Sequence, residues 1–366
     1  MISQRLKENI NKGQEFFEGL NFDQFKFYPA HKGLTTAGKE LRLGFSCYGL
    51  KYYYMSGKWE KLDSIIQENW VNYLNSFQSS ESKFPINSYI DNQYLKYLNK
   101  FSLNKFVKEQ IKKTLNTTGL RSFETKESYE KKSINAETKQ AIATLHQVGF
   151  KNDEKIQSQF DSDEQLYSYL SKLDWSKPWA SGAQFSSLCV FSATQGFSNI
   201  ETLIKFSNML VDKETGFYYG SKPVSNREMF NGAMKMISGF DWIDVQIHYP
   251  EKIIDFCLSN EPIFEGCDFV DYIYVLNKCS SQTNYKKKEI VTRLTEINKK
   301  MSILYHENLG GYSYFVNKSQ THYYGVEVTK GYNTPDVHAT LLCNWANILI
   351  LDTIGELDGE FKTIKP

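Results

Sequence analysis

At 366 residues the chain exceeds the usual size of one compact core, so one large domain or two ordinary ones are expected. Hydrophobic residues make up 41 % and aromatic residues 15 %, nearly all Tyr and Phe, which excludes a disordered chain. The formal charge of +1 gives no electrostatic case for nucleic acid or an anionic membrane as the main partner.

Residues 3–19 place Leu6, Ile10, Phe16 and Phe17 near helical spacing. This opening reads as an amphipathic helix rather than a secretory leader. A loop with Pro29, Gly33 and Gly38 follows. LRLGFSCYGLKYYYMSG and KWEKLDSIIQENWVNYLNSFQ then form an αα-hairpin around a short Ser-Gly turn. A Lys- and Tyr-rich helical region is expected over 91–116. Residues 117–137 are polar and charged, and read as a surface excursion or linker. ETKQAIATLHQVG and DSDEQLYSYLSKL are short helices, with His146 a packing residue.

From Asp174 the texture changes. DWSKPWASGAQFSSLCVFSATQG is an aromatic loop leading into a helix of small and apolar residues. IETLIKFSNMLVD, REMFNGAMKMISGF, PEKIIDFCLSN, CDFVDYIYVLNKCS and YKKKEIVTRLTEINKKMSILYHE continue the helical pattern. A Tyr-rich loop runs from Gly310, and a hydrophobic helix closes the chain. For that helix Thr334 serves as cap, Pro335 as first position and Asp336 as an acid in the first turn.

The six cysteines are scattered, without C-x-x-C spacing, and read as small core hydrophobes in a reducing compartment. A cytoplasmic location is therefore expected, and no run approaches the roughly 18–20 apolar residues of a membrane span. No phosphate loop, G-x-G-x-x-G, G-x-S-x-G or H-E-x-x-H occurs. No cofactor and no metal are called for.

Roughly eleven helical segments and no set of alternating strands make the chain all-α. Hairpins recur at roughly 40–60 residues per pair, and the 182–196 and 338–351 helices are apolar on most faces. Helices apolar all round are buried on both sides. An inner ring covered by an outer ring accounts for this: an (α/α) toroid of about six helical hairpins, spanning residues 1–366 as one domain. An open solenoid is the alternative. The inner ring is expected to include helices 182–196, 228–240, 266–279 and 338–352.

This pattern resembles the α/α-toroid carbohydrate-active enzymes, the glycoside hydrolases and polysaccharide lyases built of helical hairpins. Within that group, WSKPWASGAQ is similar to the Trp-and-Gly segment before an inner helix of the unsaturated-glucuronyl hydrolases. CDFVDYIYVL is similar to their inner-helix start that carries a catalytic Asp, through Asp268 or Asp271. The chain departs from them in having Lys177-Pro178 where Arg-Gly is expected. The resemblance implies a glycan- or glycoconjugate-processing enzyme with a carbohydrate substrate.

The candidate residues divide by chemistry. Trp175 and Trp179 flank Pro178 and either stack on sugar faces or form a hydrophobic lid. Gln184 and Asn231 are amides in apolar helices, which need partners or a cavity. Asp268 and Asp271 are three apart on one helix face and suit shared acid and base work; offsetting the helix dipole is the competing reading. Asp336 and His338 sit two apart, so regular helical geometry lets only one of them face a cleft. Tyr312 offers a phenol as base or donor, and Tyr323 and Tyr324 offer rings for binding. Asp241, Asp244 and His248 do not have convincing metal-ligand spacing. Trp175, Trp179, Asp268, Asp271, Tyr312 and His338 are expected at one concave end of the ring. A non-catalytic glycan- or protein-binding toroid is the rival reading. An isoprenoid-cyclase-like enzyme would need a D-D-x-x-D or D-x-D-D cluster, which the sequence lacks.

Overall fold

A computed structural model describes residues 2–80, 83–100, 125–220 and 222–366. Most of them are helical, in an all-α architecture. The helices are α1 (Ile2–Leu20), α2 (Thr36–Glu40), α3 (Leu43–Met55), α4 (Ser64–Asn75), α5 (Asn92–Leu98), α6 (Lys126–Gln147) and α7 (Asp163–Lys172). They continue with α8 (Pro178–Gln195), α9 (Ile200–Leu210), α10 (Asn226–Ile243), α11 (Pro250–Ser259), α12 (Asp268–Ser280), α13 (Lys287–Met301) and α14 (Val337–Ile354). The strands among the described residues are two or three residues long and pair only as small antiparallel hairpins.

Local chemistry sets several boundaries. Asp63, Asp91, Thr125, Ser162 and Ser225 cap α4, α5, α6, α7 and α10 by accepting backbone N–H bonds. Pro178 and Pro250 open α8 and α11, where a missing N–H costs nothing. Gly196 and Gly355 close α8 and α14 in the left-handed conformation.

Six helices touch in sequence: α3 packs on α6, α6 on α8, α8 on α10, α10 on α12, α12 on α14, and α14 returns to α3. Side-chain pairs show that α8, α10 and α12 run parallel, as do α14 and α3. Gly182 faces Lys235 while Cys189 meets Gly239, between α8 and α10. Asn231 bonds Asp268 near the start of α10 and α12, and Asp241 pairs with Lys278 near their ends. His338 stacks on Tyr48 at the start of α14, and Asn344 bonds Tyr52 one to two turns on. Their N-terminal ends therefore share one end of the molecule. α1, α4, α11 and α13 pack against members of this cycle from other sides.

The segment 126–137 corrects the sequence reading. It is the first half of α6, not a surface excursion, and buries Glu130, Ser133, Ile134 and Glu137. Its polarity comes partly from side chains that face the interior. Residues 117–124, like most of the helix expected over 91–116, lie outside the described residues. α14 also amends the membrane reading: its 18 residues are long and apolar enough for a span, but 78 % of that window is buried inside the protein. Packing against α1, α3, α12 and α13 explains its apolarity on every face.

The α8–α10 pair is the tightest approach in the cycle. A Cβ added at Gly232 would lie 2.6 Å from Pro178 Cβ. Gly232→Ala is expected to destabilise the protein by about 1–3 kcal/mol in urea unfolding, because Pro178 is held by the start of α8 and cannot yield. An unchanged midpoint would mean that the two helices separate freely.

Candidate functional site

The N-terminal ends of α8, α10, α12 and α14 bring together side chains from four distant parts of the sequence. Asp268 is the first residue of α12 and is 2 % exposed. It accepts from Asn231 Nδ2 at 2.5 Å and from Arg227 Nε at 3.1 Å. The Arg227 guanidinium lies 5.5 Å from the centre of the Trp179 ring, while the Trp179 backbone N–H donates to Glu228. Trp179, Arg227, Asn231 and Asp268 thus form a continuous line from a partly exposed ring to a buried carboxylate.

Asp271 lies one turn along α12, 2 % exposed, and among the described residues its Oδ2 has no hydrogen-bond partner. Burial pushes its carboxyl up to about 7, and the charge of Lys235 opposes that rise. His338 sits between two tyrosine rings, with centroids 4.9 Å from Tyr48 and 5.3 Å from Tyr314 and near-parallel planes. Its Nδ1 also lacks a partner among the described residues. Burial, followed by the charges of Lys235 and Lys51, holds the imidazole down at about 3, so it is neutral at pH 7. The loop that supplies Tyr314 is tied to the approach to α12 by Gly266 N–H donating to the Tyr314 carbonyl.

Other candidates lie elsewhere. Trp175 is buried, donates through Nε1 to the Leu170 carbonyl and packs on Phe206, so it anchors α7 and α9 as core. Gln184 accepts from Tyr169 and lines a cleft with Lys83, Ser128 and Asn135, on the α6 side of α8. The Tyr312 hydroxyl accepts from Asn9 and Asn347, between α1 and α14. Tyr323 donates to Glu137 Oε1 at 2.9 Å and packs against Phe45 and Tyr48. Tyr324, at φ +39, stacks edge-on to Tyr323. Asp336 is the N-cap of α14 rather than a first-turn acid, and accepts backbone N–H bonds from Ala339, Tyr314 and Gln320. Trp179, Asp268, Asp271 and His338 lie near the starts of α8, α12 and α14, whereas Trp175 is engaged between α7 and α9 and the Tyr312 hydroxyl between α1 and α14, with the Tyr312 carbonyl accepting from the Asp336 N–H.

Sequence reasoning placed Tyr314 in the Tyr-rich loop and missed Tyr48, Lys51, Glu137, Lys139, Arg227 and Lys235. The signal that could have found Lys51 and Lys235 is a lone cation inside an otherwise apolar helix: GLKYYY and GAMKMIS. His248 is engaged by Tyr218 and Asn208, and Asp241 by Lys278. Among the described residues no group of three His, Cys, Asp or Glu could hold a metal ion.

Opposite shifts in one site give opposite pH slopes. Asp271, raised from 3.8 to about 7, contributes stability that is full below about 4 and lost as pH rises toward 7. His338, lowered from 6.5 to about 3, contributes stability that is full above 6.5 and lost as pH falls toward 3. Relative to wild type, Asp271→Asn is expected to gain stability as pH rises from 4 to 7, by at most about 1.4 kcal/mol per unit. His338→Phe is expected to gain it as pH falls over the same range. Urea midpoints at several pH values check this, and parallel curves for all three proteins would refute both shifts.

Neither models of known protein families, nor curated proteins, nor solved structures give a match to this chain.

Proposed function

We propose that the six-helix cycle is the inner ring of an (α/α) toroid. We propose further that its N-terminal mouth is the active site of a glycan- or glycoconjugate-processing enzyme, of glycosidase or lyase type. One observation carries the reading: a buried, unpartnered carboxylate, Asp271, lies one turn from Asp268 and shares the Lys235 field with the neutral His338. A carboxyl held near neutrality can give or take a proton at the pH where most enzymes work. His338, neutral and clamped between rings, suits hydrogen bonding to a substrate oxygen rather than proton delivery. Asp268, fixed by Asn231 and Arg227, suits orienting a hydroxyl or stabilising positive charge that develops on a sugar ring. Trp179 offers a face on which a pyranose can stack, at the partly exposed end of the line.

The test is turnover of an oligosaccharide panel by the purified protein, followed by reducing-end release and by ultraviolet absorbance of unsaturated products. Reducing ends without absorbance mean hydrolysis; both together mean elimination. No turnover on any member, combined with binding that Trp179→Ala abolishes, would replace the enzyme with a glycan-binding toroid.

A further inference from the structure

Below the aspartates and His338, three lysines from three members of the cycle face one region. Lys51 of α3 is 8 % exposed, and Lys139 of α6 and Lys235 of α10 are partly buried. Burial lowers Lys139 well below its ordinary value and Lys51 to about 8; the charges of Lys235 and Lys51 lower Lys139 further, and that of Lys235 lowers Lys51. Among the described residues none of the three has a carboxylate within 4 Å of its ammonium. Surface lysines routinely find acids or water; three that converge inside a helix cycle without a counter-charge carry a standing electrostatic cost. Lys235 lies one turn beyond Asn231 on α10, and Lys51 one turn beyond Tyr48 on α3. Lys235 acts on both Asp271 and His338, and Lys51 acts on His338.

The nearby acids do not cancel this charge. Asp268 is engaged by Arg227 and Asn231. Glu137 is bonded by Tyr323, and burial pushes it up to about 8, so it favours its neutral form. Among the described residues Asp271 is the remaining acid beside Lys235, and burial has already weakened the charge of Lys139 and Lys51, which an arriving anion would restore.

We propose that Lys51, Lys139 and Lys235 bind a phosphate monoester, so that the ligand of this site is a phosphorylated saccharide. The saccharide half rests on the function proposed above; the phosphate half does not. A phosphate monoester carries close to two negative charges at neutral pH and three terminal oxygens, one for each ammonium. A carboxylate or a sulfate ester carries a single charge and leaves more of the lysine repulsion uncompensated.

Isothermal titration of the 366-residue protein with inorganic phosphate, methyl sulfate and glucose 6-phosphate tests this, with Lys51→Met, Lys235→Met and Asp271→Asn alongside wild type. Methionine keeps the apolar stem and removes the charge, so the unliganded variants are expected to melt no lower than wild type. Phosphate is expected to bind one site per chain and to raise the melting temperature, more strongly than methyl sulfate at equal ionic strength. Each lysine variant is expected to weaken phosphate by about tenfold or more, as loss of one charge-assisted contact does. Asp271→Asn should keep or strengthen phosphate binding. Glucose 6-phosphate should bind more tightly than phosphate, and Trp179→Ala should remove that increment alone. Absence of phosphate binding, binding indifferent to both lysine variants, or methyl sulfate binding equally well would overturn the proposal. Phosphate bound through the lysines with no gain from the sugar would keep the anion site and sink the glycan reading. Turnover of neutral oligosaccharides unaffected by the lysine variants would do the reverse.

Discussion

Asp271→Asn is expected to lower turnover of an accepted oligosaccharide by about 10²–10⁴, the usual cost of losing a proton-transfer group. The substitution preserves volume and removes only the ability to ionise. It also relieves a buried carboxylate whose Oδ2 has no partner among the described residues, so the variant should fold and melt no lower than wild type at pH 7. Activity lost together with stability retained is the signature of a residue kept for chemistry. Trp179→Ala in the same assay should mainly weaken binding, by roughly 1–3 kcal/mol if sugar stacking is comparable to base stacking. His338→Phe keeps a ring between Tyr48 and Tyr314 and should reduce turnover without changing which pH limb Asp271 controls. Near-native turnover by Asp271→Asn on a substrate that wild type processes would remove Asp271 from the mechanism.

Asp336→Ala is expected to destabilise the protein by roughly 3–5 kcal/mol, because three N–H donors, one buried and two partly buried, lose their acceptor at about 1–3 kcal/mol each. Those donors belong to Ala339, Tyr314 and Gln320, and Asp336 itself is fully buried. The carboxylate thus caps α14 and pins the aromatic loop over His338 with the same pair of oxygens. Burial pushes its carboxyl up to about 7, opposed by the backbone donors. Asp336→Asn retains one acceptor oxygen and should lose about half as much, as expected for a cap that still bonds part of its set. Urea unfolding of the two variants distinguishes this cap from a catalytic acid: equal, small losses with abolished turnover would reassign Asp336 to the chemistry.

Composition and periodicity were sufficient for the all-α class and for the helices that the cycle places side by side. Apolarity on every face of α8 and α14 can only mean burial on both sides, and that is legible without coordinates. The same logic picked out Asp268, Asp271, Asn231, Trp179 and His338, since polar groups at the starts of buried helices must meet something. It failed where the partner is far away in sequence. Tyr312 and Trp175 look like Asp271 on paper, but Asn9 and Asn347 engage the first and the Leu170 carbonyl the second. Residues 126–137 look solvated because their charge is visible in the sequence and the interior they face is not. The lysines of α3, α6 and α10 become one feature only when three helices, separated by some ninety residues at each step, join one cycle of contacts. A sequence fixes which side chains are polar; whether a polar group is capped, paired or left facing its like depends on the neighbours that folding supplies, and in this chain those neighbours lie tens to hundreds of residues away.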